Sequence, residues 1–173
     1  MPCEGRVDQL KQLVSVQTGV LSSEDVLTKR TALDFACEQG QLDAVNFLIE
    51  SGASLDRQDD RMNYHPLAWA VQGGHAELVK TLLKYSPDLI KLKDLYGWPA
   101  SHKAAHAGRV DILKLLIAAA GQPYEAIHET DARGRTLLHK AYLSGNQVMI
   151  NYCREDLGLE PTQDSDGRYP EEQ

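Results

Sequence analysis

GRVDQLKQLV, from Gly5 to Val14, recurs as GRVDILKLLI, from Gly108 to Ile117, with the same residue at seven of ten positions. Two looser copies stand between them, QLDAVNFLIE from Gln41 and HAELVKTLLK from His75, and NQVMINYCRE from Asn146 follows. Apolar residues fall at helical spacing in each, as at Leu42, Val45, Leu48 and Ile49 or at Leu78, Val79, Leu82 and Leu83. That spacing gives a helix one buried stripe. Gly5, Gly40, Gly74, Gly108 and Gly145 stand at the head of these helices. Glycine accepts the left-handed backbone in which a preceding helix ends, so each unit is expected to hold two short helices.

Nine residues ahead of the last four of those glycines are Thr31, His65, Pro99 and Thr136, spaced by 34, 34 and 37 residues, and Tyr169 follows 33 later. Repetition at such a period marks stacked units, each burying its apolar face against its neighbours. Five residues into each unit the column reads Ala36, Ala70, Ala104 and Ala141, which lets first helices approach closely at no loss of helix propensity. The stretches from Asp59, Asp94 and Asp131 are polar or glycine-bearing turns that lead into helices and must project from the stack.

TALDFACEQGQLDAVNFLIESGASL, HPLAWAVQGGHAELVKTLLK, GWPASHKAAHAGRVDILKLLI and GRTLLHKAYLSGN keep one register, and the chain therefore resembles the ankyrin repeat family. The resemblance implies an all-α solenoid of helix-turn-helix units with projecting β-turn fingers, here a single domain over residues 1–173. Its expected divisions are an N-terminal capping half-repeat and linker over 1–30, repeats over 31–64, 65–98, 99–135 and 136–168, and at 169–173 the start of a truncated repeat or a polar end. Three extra residues in Ala118 to Thr130 predict a lengthened second helix and loop. Ser101 stands where the other units have Leu33, Leu67 and Leu138, and should weaken the third repeat. Tyr142 replaces a small residue beside Ala141.

Hydrophobic residues are 42% of the chain and aromatics only 6%, so the interior must be filled by aliphatic side chains, as suits packed helices. No run approaches the roughly 20 apolar residues of a membrane helix. Cys3, Cys37 and Cys153 are odd in number and widely spaced, which fits reduced thiols in a cytoplasmic or nuclear protein. The formal charge of -7 argues against nucleic acid as main partner and for a protein partner, basic ones included. The acidic stretch Glu155 to Glu172 fits the same reading, or a solubilising tail.

His102 and His106 have the i, i+4 spacing of metal ligands, but no third ligand is evident. The resemblance instead gives His102 and His139 the role of bonding backbone between neighbouring repeats. Ser101, His102 and Asp111 sit in columns explained by packing or solvation, so no catalytic residue, cofactor or metal is expected. Cys37 and Cys153 fall in buried columns as small apolar fillers. Lys80, Lys84, Lys91 and Lys93 read as a solvated outer face.

In the family, positions flanking the turn glycine and those before the helix-ending glycine contact partners on the concave side. Carried over, these are Arg61, Met62 and Tyr64; Leu95, Tyr96 and Trp98; Arg133 and Arg135; and on the first helices Phe35, Trp69, Gln72, Lys103, His106, Lys140 and Leu143. Aromatics and arginines are common interface anchors. The expected function is non-catalytic protein–protein recognition by a chain that is monomeric by itself. The alternatives are a regulatory or targeting domain of a larger enzyme or complex, and a host-directed microbial effector.

Overall fold

The computed structural model describes Leu21 and residues 23–172. The helix expected at Gly5–Val14, most of the N-terminal cap, and Cys3 lie outside the described residues. The helices are α1 (Ala32–Glu38), α2 (Leu42–Glu50), α3 (Pro66–Gly73), α4 (Ala76–Tyr85), α5 (Ala100–His106), α6 (Val110–Ala119), α7 (Pro123–His128), α8 (Leu137–Ser144) and α9 (Gln147–Asn151). A wider π turn, Tyr152–Asp156, continues α9, and short 3-10 turns occupy Pro87–Lys91 and Pro170–Glu172. Among the described residues there is no strand beyond one isolated bridge between Glu24 and Thr31. No described helix is long and apolar enough to cross a membrane.

First helices α1, α3, α5 and α8 pack side by side in one layer, and each of α1, α3 and α5 leans on the second helix of its own unit. The alanine column is what permits this: Ala36, Ala70, Ala104 and Ala141 are all buried at the contact between neighbours. Leu33, Leu67 and Leu138 fill the core beneath them, joined by Val45, Leu48, Val79, Leu82, Ile112, Leu113 and Leu116 from the second helices. Cys37 and Cys153 are buried within it, and burial pushes both thiols up, Cys153 to about 12. A thiol so held is a poor nucleophile.

Local rules set the helix ends. Thr31 caps α1 in a reciprocal box with Asp34, and Thr136 caps α8, its N–H donating to His139 Nδ1 at 3.1 Å. Pro99 begins α5 and has no N–H to give, so the equivalent Nδ1 of His102 is buried without a partner. Gly74 ends α3 at φ 80, and a Cβ there would lie 2.6 Å from the Arg109 guanidinium of the next unit. The backbone conformation favours glycine at this position, and a side chain there would also have to displace the Arg109 guanidinium.

One expectation changes. The segment Ala118 to Thr130 is not a lengthened helix. α6 has the same ten residues as α4, Gly121 turns the chain at φ 68, and Pro123 starts the separate helix α7, where its missing N–H is harmless. α7 and Ser101 together leave an open groove of about 540 Å³, bounded by Ile90, Pro99, Leu116, Ala120 and Tyr124. Ser101→Leu is expected to fill part of it and stabilise the chain by roughly 1–2 kcal/mol, read as a raised urea midpoint at unchanged slope. A lowered midpoint would show that the packing has adapted to serine. At the other end of the described residues the turn Pro170–Glu172 packs on α8, with Pro170 buried.

Candidate partner-binding surface

Each finger is organised by the aspartate that opens it. Asp59 accepts main-chain N–H groups from Arg61, Met62 and Tyr64; Asp94 from Tyr96 and Trp98; Asp131 from Arg133 and Arg135; Asp164 from Asp166 and Arg168. A short carboxylate folding its own backbone back in this way is a common turn device. Main-chain bonds then tie finger to finger: Leu95 N donates to Met62 O at 3.0 Å, Ala132 N to Tyr96 O at 3.2 Å, and Ser165 N to Arg133 O at 2.9 Å. Gly97 sits where this approach is closest, since a Cβ on it would lie 3.0 Å from Ala132 N. The histidines add a second tie. His102 Nε2 meets Arg135 O at 3.2 Å and His139 Nε2 meets Arg168 O at 3.3 Å, the inter-repeat role that the resemblance implied.

Beneath the fingers runs a row in which cations and aromatic rings alternate. The Arg30 guanidinium lies 4.1 Å from the Phe35 ring centre and 3.7 Å from that of Trp69. Tyr64 meets Trp69 edge-on at 4.9 Å, Lys103 Nζ lies 3.6 Å from the Tyr64 ring centre, and Lys140 Nζ lies 3.9 Å from that of Trp98. Desolvated cation–π contacts of this kind contribute about 2 kcal/mol. Lys103 pairs with Asp94, and Lys140 with Asp131 at 2.5 Å, so each lysine neutralises the aspartate that shapes its finger.

This placement corrects two of the residues expected at the surface. Lys103 and Lys140 are 2% and 0% exposed. Nothing from outside touches them, because the finger aspartates draw both ammonium groups inward between aromatic rings. Burial lowers both lysines, Lys140 to about 8, against the opposing pull of their aspartates. Tyr64, Trp69 and Trp98 are half-buried members of the same row, and Met62 is half-buried at the base of its finger. Arg135 is half-buried on Asp131, Nε to Oδ2 at 3.0 Å. Arg61, Gln72, Leu95, Tyr96, His106, Arg133 and Leu143 are exposed, His106 against the Trp98 ring at 5.3 Å. Arg30 and the finger aspartates were missed as members of the site. The signal was there in part: Asp94 to Lys103 and Asp131 to Lys140 are both nine residues apart.

Chemically the surface offers donors, rings and apolar side chains. Among the described residues no three His, Cys, Asp or Glu side chains gather as a metal site would require. Of the outer lysines, Lys80 pairs with Glu77, Lys91 with Asp88 and Lys93 with Glu129, each at 2.6 Å, as expected of a solvated face.

Two-helix units stacked through alanine, with aspartate-pinned fingers and histidine ties between them, define a repeat protein of the interaction-module class. The family model for ankyrin repeats (3 copies) matches residues 3–92 and again 67–164. The chain belongs to the ankyrin repeat family. It is similar to the probable E3 ubiquitin-protein ligase XBOS33 of Oryza sativa subsp. japonica, 36% identical over 50% of this chain and 16% of that protein. It is also similar to the putative palmitoyltransferase ZDHHC13 of Danio rerio, 29% identical over 66% of this chain and 17% of that protein. Ankyrin repeat domain-containing protein 37 of Bos taurus is 33% identical over 47% of this chain and 51% of its own length. The chain thus spans under a fifth of the two enzymes and about half of the third relative.

Proposed function

We propose that the chain is a non-catalytic recognition module that docks another protein on its finger face, across Arg61, Leu95, Tyr96 and Arg133. One observation carries the reading. Leu95 and Tyr96, 59% and 51% exposed, stand on a finger that main-chain bonds lock to both neighbours. Exposed apolar side chains on a rigid support lose little freedom on binding, which is the usual condition of an interface anchor. The buried thiols suit a reducing compartment, the cytoplasm or nucleus.

The test uses variants that spare the buried row, since Trp98 packs on Lys140 and its truncation would disturb the fold. A partner is isolated with the wild-type chain and purified. Its affinity for Tyr96→Ala is expected to fall about tenfold, and for Lys80→Ala, Lys84→Ala to stay within about twofold. The opposite pattern would move the working surface to the outer helices.

A second reading is favoured by the comparisons, in which two relatives bear enzyme names and match this chain over less than a fifth of their length. Here the same surface positions or regulates a catalytic domain. The length of the native open reading frame separates the two.

A further inference from the structure

We infer that the finger face takes an extended, acidic segment of its partner, gripped at two notches where arginines border a tryptophan; this rests on the reading of that face as the docking surface. One notch, of about 290 Å³, is walled by Trp69, Arg30 and Arg61, with Asp59 at its floor held by its own backbone donors. The other, of about 280 Å³, is walled by Trp98, Tyr96, Arg133 and Arg135. The first lies between residues 28–30 and the finger Asp59–Tyr64, and the second between the fingers Asp94–Trp98 and Asp131–Arg135, two units further on.

The charge around them runs against that of the whole chain. Asp94 and Asp131 are buried and neutralised by lysines, and Asp59 is buried under its own backbone donors. Asp60 is the one exposed acid on these three fingers. Against that one acid the same fingers carry Arg61 and Arg133, both exposed and without a side-chain bond among the described residues, and the outer nitrogens of Arg135, whose Nε is engaged by Asp131. Arg30 is already held by Glu38 at 2.6 Å and serves as a wall. A chain of formal charge -7 thus presents a local excess of guanidinium where its apolar side chains are exposed. Screening within about 8 Å makes that local excess, rather than the net charge, what a docked segment meets. The basic partner suggested by net charge would face like charge here.

Geometry sets the spacing. Stacked helices stand about 8–10 Å apart, so notches two units apart are separated by about 16–20 Å. Extended chain covers that in about five or six residues. The occupant therefore carries acidic side chains at that separation, with an apolar side chain between them that meets Leu95 and Tyr96 at the near wall of the second notch. Carboxylates suit the arginines, whose forked donors bind them in pairs. Three arginines are too few, on so acidic a chain, for a nucleic-acid backbone.

The probe is a synthetic peptide of about twelve residues with Glu-Asp pairs about six residues apart around a central leucine, set against its lysine counterpart and a single-stranded oligonucleotide of similar length. With the full chain, the acidic peptide at millimolar concentration is expected to shift the backbone amides of Arg61, Ala132 and Arg133 in a heteronuclear NMR spectrum. Its affinity should drop at least about fivefold as salt rises tenfold, and at least about tenfold in Arg61→Glu, Arg133→Glu, with folding confirmed by circular dichroism. No shift with the acidic peptide, equal binding by the lysine peptide, or tighter binding by the oligonucleotide overturns the inference. If it falls while Tyr96→Ala still weakens the isolated partner, the docking surface stands and only its acidic occupant is lost. If Tyr96→Ala leaves that partner's affinity unchanged, the docking surface itself is wrong.

Discussion

Lys140→Ala is expected to destabilise the chain by about 3–5 kcal/mol, nearer the lower figure, and to do so from a position with no contact to solvent. Its ammonium lies 2.5 Å from Asp131 Oδ2, and both side chains are fully buried. Removing it leaves a carboxylate that burial penalises and whose one remaining cation among the described residues is Arg135, at 3.0 Å, beside the main-chain N–H groups of Arg133 and Arg135. The Trp98 ring loses its cation at the same time. Urea titration of Lys140→Ala beside the exposed Lys80→Ala gives the measurement, with the latter expected within about 0.5 kcal/mol of wild type. Adding Asp131→Asn to Lys140→Ala should recover part of the loss, since the amide oxygen still accepts the Arg133 and Arg135 N–H groups without needing a cation. If both single lysine variants melt alike, the buried pair holds nothing together.

Acid is expected to weaken the fold through its buried histidines. Burial pushes His65 and His102 down from 6.5 to about 4. An imidazole held neutral in the folded state contributes stability that is complete above pH 6.5 and is lost as pH falls through that value toward 4, because the unfolded chain takes up the proton first. Each loses roughly 2 kcal/mol by pH 5, so the pair together weaken the chain by roughly 4 kcal/mol between pH 7 and pH 5. His106 and His139 are lowered by burial too and act in the same direction. Asp34, raised by burial, acts oppositely, the penalty on its buried carboxylate easing as pH falls toward 3.8. Burial also pulls Asp131 up, yet the bonds from Lys140, Arg135 and Arg133 outweigh it and hold the carboxyl low, adding a further loss only below pH 3.8. Urea midpoints at pH 7 and pH 5 test this, with His102→Asn expected to flatten the difference. An unchanged pH dependence in that variant would remove His102 from the account.

The stacking of the units was legible in advance because it rests on rules that act within a few residues. Apolar positions three and four apart make a helix bury one side whatever it packs on. Gly74 ends a helix because of its own backbone, Thr31 starts one through the residue three further on, and alanine at one column sets how closely first helices approach. Repetition then multiplied each weak signal. Three extra residues after α6 could be counted, but whether they lengthened a helix or made another depended on Gly121 and Pro123 acting as stop and start. Lys103 and Lys140 could not be placed that way. A charged residue on a short helix reads as solvated, and nothing local says that an aspartate nine residues earlier will be folded over it by a finger. The same holds for Arg30, which is sandwiched in the row because the next unit brings Trp69 against it. The sequence by itself thus determined which residues face a core and where each helix stops, because those follow from period and backbone preference. Tertiary structure alone decided which charges are cancelled and which arginines remain free, because electrostatic pairing depends on distance in space, and the fingers bring together groups that the chain keeps apart.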